Sequence, residues 1–299
     1  MKIVVTGSLG HISKPLVKEL LQKGQDITVI SSNPDKKQEI ETLGATAAIG
    51  SLQDVEFLKT VFSTADAVYT MVPPNNYFDH SLDLLAYYRG IGQNYAEAIR
   101  NSTVRRVVNL SSIGAHLEQG SGIIEGAHNV EKILNQLPPE VAITHLRPTS
   151  FYYNLYGYAA QIKNTGFIAA NYGEEDIIPW VAPADIAAVA AEELLLESTT
   201  NAVRYVASEE LTATESAKII GTAIGIPDLE WKIIPEQQAA ESLKQIGMNP
   251  RIADGLTEMY AALHTGLLSE DYFRNRPAVM GKVKLRNFAK EFAAAFEKM

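Results

Sequence analysis

The 299-residue chain predicts an α/β fold, a doubly wound parallel sheet followed by a smaller, mainly helical C-terminal lobe. Three observations predict it. Short β-rich apolar runs alternate with segments of helical spacing through the first half, and a glycine-containing turn directly follows the first run. Beyond residue 150 the alternation loosens into Tyr- and Asn-rich sequence and then mainly helix. With 46% hydrophobic and 20% charged residues, the chain has the apolar content to bury a sizeable core.

Taken in order, the first strand is expected at 2–6, and the helix behind it carries Leu16, Val17, Leu20 and Leu21 on one side before Gly24. Further strands are expected at 26–30, 46–49, 67–71, 106–110 and 142–146, each short and apolar like a strand buried on both faces. Six such strands joined by right-handed crossovers bring every strand C-terminus to one edge, where ligands bind in this architecture. The second half is expected to hold a strand at 177–181, a helix at 183–196, a strand near 202–206 and a helix starting at Thr212; 235–299 reads as mainly helical. Residues 1–150 are therefore expected to form the ligand-binding sheet domain and 151–299 a lobe that closes a cleft over it. The boundary is soft, because no Pro/Gly/Ser linker marks it, and the chain is free to return to the first domain.

The 26 basic and 35 acidic residues leave a net charge of -9, which gives a nucleic-acid surface or an anionic-membrane patch little support. No run reaches the ~18 apolar residues that span a bilayer, since the most apolar stretch, 180–196, carries Asp185, Glu192 and Glu193. The opening residues go straight into a strand pattern instead of an apolar leader, so a cytoplasmic location is expected. Zero cysteines exclude disulfides, zinc-thiolate centres, iron–sulfur clusters and thiol nucleophiles, and the six histidines lack paired metal-ligand spacing.

The strongest local signal is Thr6-Gly7-Ser8-Leu9-Gly10-His11-Ile12-Ser13, between the first strand and the first helix. Gly7 supplies a tight turn, Gly10 lets a pyrophosphate approach the main chain, and the helix N-terminus offers free N–H groups with a positive dipole end. Ser13 stands where a third glycine would permit the closest helix–strand contact. The turn makes the first domain a Rossmann-type dinucleotide-binding domain, with Gly7, Leu9, Gly10, His11 and Ile12 as the phosphate loop. At the end of the second strand, Ser31, Ser32, Asn33 and Lys36 fall where the adenosine ribose lies. No carboxylate sits at the strand end, so NADP is favoured over NAD.

These residues and their order resemble the NmrA-like, atypical short-chain dehydrogenase/reductase group that includes triphenylmethane reductases and NADPH-quinone oxidoreductases. The likeness runs over nearly the whole chain. It rests on Thr6-Gly7-x-x-Gly10, Ser32-Asn33-Pro34-x-Lys36, Gly50-Ser51-Leu52 and Asp66-Ala67-Val68 leading to Val72-Pro73-Pro74. It continues through 107–112, Leu146-Arg147-Pro148 and Val181-x-x-x-Asp185-Ile186-Ala187. The resemblance implies further cofactor contacts from Ser51, Leu52, Val72, Pro73, Ser111 and Ser112. Two departures stand out: NADPH-using members often carry Arg at the position of Ser32 and Asp at that of Ser51.

The Tyr-x-x-x-Lys proton-transfer pair of the main short-chain dehydrogenases is missing, for 121–134 holds no tyrosine. The nearest polar candidates after Ser111 and Ser112 are His128, Glu131 and Lys132. Of these, His128 and Lys132 share a helix face and are the candidate catalytic groups. The substrate wall is expected from Pro148, Phe151, Tyr152 and Tyr153, whose rings suit a flat acceptor. Two functions stay open: an NAD(P)H-dependent oxidoreductase that passes hydride to a small, flat quinone or dye, or a non-catalytic dinucleotide sensor of the NmrA type that signals to a protein partner. The aromatic wall favours the enzyme; the missing Tyr and Lys favour the sensor.

Overall fold

The computed structural model describes residues 1–197 and 199–298. In chain order the first half comprises β1 (Lys2–Val5), α1 (Ser13–Gln22), β2 (Asp26–Ser31), α2 (Lys37–Thr42), β3 (Thr46–Ile49), α3 (Val55–Phe62), β4 (Ala67–Thr70), α4 (Leu84–Arg100), β5 (Arg106–Leu110), α5 (Glu125–Leu134) and β6 (Ala142–Pro148). The second half continues with β7 (Ser150–Phe151), α6 (Ala159–Thr165), β8 (Phe167–Ala170), β9 (Ile177–Val181), α7 (Pro183–Leu195), β10 (Ala202–Val206) and β11 (Glu209–Thr212). After these come α8 (Ala213–Ala223), β12 (Glu230–Ile233), α9 (Glu236–Gln245), α10 (Pro250–His264), α11 (Glu270–Arg274) and α12 (Leu285–Phe296).

Seven parallel strands form the central sheet in the order β10-β6-β5-β4-β1-β2-β3. The order reverses at β1, whose neighbours are β2 on one side and β4 on the other, so a crevice opens above the end of β1. One face packs on α1 and α7 through Leu16, Val17, Leu20, Ile186, Ala190 and Leu194. The other face packs on α3, α4 and α5 through Leu58, Phe62, Ile91, Tyr95, Val130 and Leu134. With both faces covered, strands such as β4 are buried along their full length, which accounts for their unbroken apolar sequence.

Six strands are expected from the alternation of the first half; the seventh, β10, comes from the second half and pairs with β6 from Ala202 opposite Thr144 to Val206 opposite Pro148. Its crossover helix α7 buries Ile186, Ala187, Ala190, Ala191 and Leu194 against α1 and the sheet. The return is secured at the far edge by a buried ion pair, Arg106 Nη2 to Glu193 Oε2 at 2.6 Å, with Thr144 bonded to both partners.

The remaining second-half elements form the lobe: β11-β9-β7 as one small sheet, β12-β8 as another, and helices α6 and α8 to α12. Thr212 caps α8 in a reciprocal box with Glu215. An aromatic core of Tyr152, Trp180, Phe288 and Phe292 fills the lobe. Asp185, at the start of α7, accepts from the N–H groups of Lys282 and Val283 at 3.0 Å each and from the Ser208 hydroxyl, tying the segment before α12 to the sheet domain. Among the described residues, no helix is long and apolar enough to cross a membrane.

Candidate active site

The turn after β1 is built as a phosphate cradle. Gly7 adopts φ +85° and Ser8 φ +55°, so the chain folds back sharply and the Gly10 N–H closes onto the Gly7 carbonyl at 3.2 Å. A Cβ on Gly7 would lie 2.9 Å from the Ser13 hydroxyl and 3.0 Å from Met71. Ser13 is buried and donates to the Thr6 carbonyl at 2.8 Å, so the small side chain locks helix to strand where a third glycine would merely allow contact. Among the described residues, nothing accepts from the backbone N–H groups of His11 and Ile12, which leaves two donors and the α1 dipole aimed at the crevice. These features fit a dinucleotide pyrophosphate.

Beside the cradle, the Ser8 hydroxyl donates to Ser31 at 2.9 Å. The Asn33 side chain accepts from the Asp35 N–H and caps the turn before α2, so it faces that turn and not the crevice. Lys14 and Lys36 both pair with Glu39 at 2.8 Å, and these two bonds hold the exposed Glu39 carboxyl down at about 2. Further along, Gly50 sits against the Phe57 ring, where no side chain would fit, and the Leu52 carbonyl accepts from Asn94. The end of β4 is pinned from both sides: the Met71 N–H donates to Thr6 Oγ1 and the Met71 carbonyl accepts from Tyr95.

A single cleft of about 950 Å³ runs from this cradle to the lobe. Of the residues expected to hold cofactor, it is lined by Gly7, Gly10, His11 and Ile12 of the loop, by Ser31, Ser32, Ser51 and Leu52 on one side, and by Val72, Pro73, Ser111 and Ser112 on the other. Leu9, Asn33 and Lys36 are not part of the lining. Of the expected substrate wall, Phe151 and Tyr153 line the cleft. Pro148 is buried at the end of β6, and Tyr152 turns into the lobe core, its hydroxyl donating to Glu209 at 2.6 Å.

The candidate catalytic pair does not reach the cleft. α5 presents Ala127 and Val130 to it, and a helix turns its side chains by about 100° per residue. His128 is thereby directed sideways, with Nδ1 3.0 Å from the Ala115 carbonyl, and Lys132 outward, where it is 61% exposed and meets Glu118 at 3.4 Å. The buried charge on α5 is Glu131, between them in sequence. It accepts from the Ser111 hydroxyl at 2.5 Å and from Arg147 at 3.0 Å (Nε) and 2.7 Å (Nη2). Arg147 continues to Asp271 at 3.1 Å, and Tyr205 donates to the same carboxylate at 2.6 Å. Burial pushes the Arg147 guanidinium down, but the Glu131 hydrogen bonds and charge outweigh it and hold the group firmly protonated. Because the Ser111 proton is committed to Glu131, Ser111 presents only lone pairs to the cleft.

The lobe end of the cleft also uses residues that the sequence reading did not single out. Tyr77, Tyr87 and Tyr88 come from the segment before α4 and from its first turns; Leu256, Met259, Tyr260 and Leu263 come from one stripe of α10. The i, i+3, i+4, i+7 spacing of the α10 stripe was the available signal for these residues. His11 stacks on Tyr153 with ring centroids 5.1 Å apart, and Tyr153 stacks on Phe151 at 5.0 Å, joining the phosphate loop to the lobe. Burial pushes the Tyr153 phenol up to about 12, and it raises Tyr77 and Tyr88 as well, so all three stay protonated donors. Among the described residues, no Asp, Glu, Lys or Arg lines any part of the cleft.

Comparison with known proteins agrees with this architecture. An NAD(P)H azoreductase of Xenophilus azovorans is 26% identical over 98% of this chain and 99% of its own. The crystal structure of an NADPH-dependent quinone oxidoreductase from Escherichia coli, complexed with NADPH, superposes with a TM-score of 0.80 at 19% identity, covering 97% of this chain and 99% of that one. Triphenylmethane reductase from Citrobacter sp., complexed with NADP(H), gives a TM-score of 0.77 at 19% identity, with coverage of 97% and 99%. The model of the NmrA-like family matches residues 1–270. The chain belongs to the NmrA-like family.

Proposed function

We propose that this protein is an NAD(P)H-dependent oxidoreductase that reduces a small, flat electrophile of the quinone or dye type. One observation carries the reading: the phosphate cradle and an aromatic compartment are two ends of one continuous cleft. At about 950 Å³ its size is at the upper end of small-molecule sites. A sensor has no need of an acceptor compartment, so the enzyme reading is favoured. The sequence relative, named an NAD(P)H azoreductase, and the structural neighbours, named an NADPH-dependent quinone oxidoreductase and a triphenylmethane reductase complexed with NADP(H), support it.

When bound, the dihydronicotinamide supplies two electrons and one hydrogen as hydride and is itself oxidised; the second hydrogen of a reduced quinone comes as a proton from water. The chain's own residues then have binding and orienting work. The N–H groups of His11 and Ile12 and the α1 dipole hold the pyrophosphate. Ser31 and Ser32 meet the adenosine ribose, with Lys14 and Lys36 within reach of a 2′-phosphate once they leave Glu39. Ser111, fixed as an acceptor by Glu131 and Arg147, receives a hydrogen bond from a donor of the bound dinucleotide, such as a ribose hydroxyl. Tyr153 and Phe151 cover the reacting end and exclude water from it.

The test is to titrate the purified protein with NADPH and NADH, then add quinones and azo or triphenylmethane dyes and follow cofactor oxidation. Binding followed by acceptor-dependent oxidation is the expected result. Binding with no turnover on any acceptor overturns the enzyme reading in favour of the sensor.

A further inference from the structure

Resting on the oxidoreductase reading, we infer that the lobe end of the cleft selects uncharged quinones by their carbonyl oxygens, through the hydroxyls of Tyr77, Tyr88 and Tyr153, and turns away sulfonated or carboxylated aromatics of the same size.

Three observations lead there. The first is that no Asp, Glu, Lys or Arg is among the described residues lining the cleft, where the one imidazole, His11, is stacked on Tyr153; the charged side chains Lys14, Lys36 and Glu39 lie outside the lining. An anionic group carried into the lobe end leaves water and meets no lysine or arginine among the described lining residues, which is the costly case for burial. Arg147, the buried cation behind Ser111, is already committed to Glu131 and Asp271.

The second observation concerns what the wall does offer. Among the described residues, the hydroxyls of Tyr77, Tyr88 and Tyr153 have no hydrogen-bond partner, and all three residues line the cleft. Burial resists ionisation of all three phenols, and for Tyr88 and Tyr153 the neighbouring phenols add to it. They are therefore neutral donors across the working pH range. Neutral O–H donors on an apolar aromatic wall complement a carbonyl oxygen, which only accepts.

The third observation is the potential around this end. Glu258, on the α10 helix that walls the compartment, is raised first by burial and then by the negative charges of Glu125 and Glu236. With a net charge of -9 on the chain, approach of an anionic aromatic is disfavoured before it enters.

The experiment compares 1,2-naphthoquinone with 1,2-naphthoquinone-4-sulfonate, following NADPH oxidation above the uncatalysed rate. The expected kcat/KM is lower for the sulfonate by about thirtyfold or more, the scale of one uncompensated charge in an apolar wall. Leu256→Lys, which brings an ammonium to the α10 wall, is expected to shrink that ratio. Tyr153→Phe is expected to raise the naphthoquinone KM severalfold while the NADPH dissociation constant holds. Equal kcat/KM for the two acceptors with the unaltered protein overturns the inference and leaves the oxidoreductase reading standing. Oxidation with neither acceptor overturns the inference, and the oxidoreductase reading is then decided by the wider panel of quinones and dyes.

Discussion

The two ends of the cleft are built in opposite ways. The cradle end works through backbone: a left-handed glycine, two free N–H groups and a helix dipole, with lysines waiting on Glu39 at the rim. The lobe end works through side chains, aromatic faces and neutral hydroxyls gathered from α4, α10 and the segment after β6. Backbone recognition suits a ligand whose phosphates are always the same. A wall of side chains is free to change with the acceptor, because replacing Leu256 or Tyr77 leaves the sheet and its crevice in place. Between the two ends lies Ser111, with its buried Glu131–Arg147 support beneath.

The largest effect is expected at that junction. Arg147→Ala leaves the Glu131 carboxylate buried without its partner, a loss of about 3–5 kcal/mol for a broken buried pair, and denaturant unfolding measures it. A loss below about 1 kcal/mol would mean that water reaches Glu131 and that the two ends do not share a dry support.

Next in size is Gly10→Val, which puts a branched side chain where the pyrophosphate approaches. A Cβ there meets the Gly7 carbonyl at 3.2 Å, a contact that a shift of a few tenths of an ångström in the loop relieves, and the fold is expected to be retained. NADPH affinity is expected to fall by about a hundredfold or more, equivalent to ~3 kcal/mol, with little change in Tm. Unchanged affinity by fluorescence titration would move the phosphate site away from this loop.

The tyrosine-rich half has its own signature in alkaline solution. A phenol whose pKa is raised on folding contributes stability that is whole below its unfolded value near 10 and is lost as pH rises through the folded value. With Tyr153 at about 12 and Tyr69, Tyr88 and Tyr95 also raised chiefly by burial, Tm is expected to fall steadily above about pH 10. Tyrosinate absorbance is expected to lag behind that of free tyrosine until the protein unfolds. Ionisation of these phenols at the ordinary value in the folded protein would show that the compartment is wet.

The smallest effect lies at the rim. Lys36→Ala is expected to weaken NADPH roughly threefold, on the scale of one exposed ion pair, and to leave NADH untouched, as measured by paired titrations. An equal loss for both nucleotides would assign Lys36 to the fold of α2 instead of the 2′-phosphate.

Much of the cradle was legible in sequence because everything in it is local. Gly7, Gly10, Ser13 and the strand before them lie within a few residues of one another, and their conformations follow from the glycine turn and the helix start. The lobe end was legible only in part. Tyr153 and Phe151 follow from aromatic composition after β6; the α10 spacing groups Met259 with Leu256 and Tyr260, but nothing local says that this stripe and Tyr88 face the same space. His128 and Lys132 illustrate the limit: spacing says that they share a side of α5, but only the packing of Val130 and Leu134 on α4 and the sheet says which side faces the cleft.

The sequence by itself determined the parallel sheet, its glycine turn and the absence of thiol chemistry, because these depend on residue type and short-range spacing. Tertiary structure alone decided that β10 would cross back to complete the sheet, that Glu131 would meet Arg147 beneath Ser111, and that one cleft would be lined by loop backbone and serines at one end and by aromatic rings at the other. Each of those outcomes depends on which buried faces fit together across long stretches of chain, and burial is a property of the packed whole.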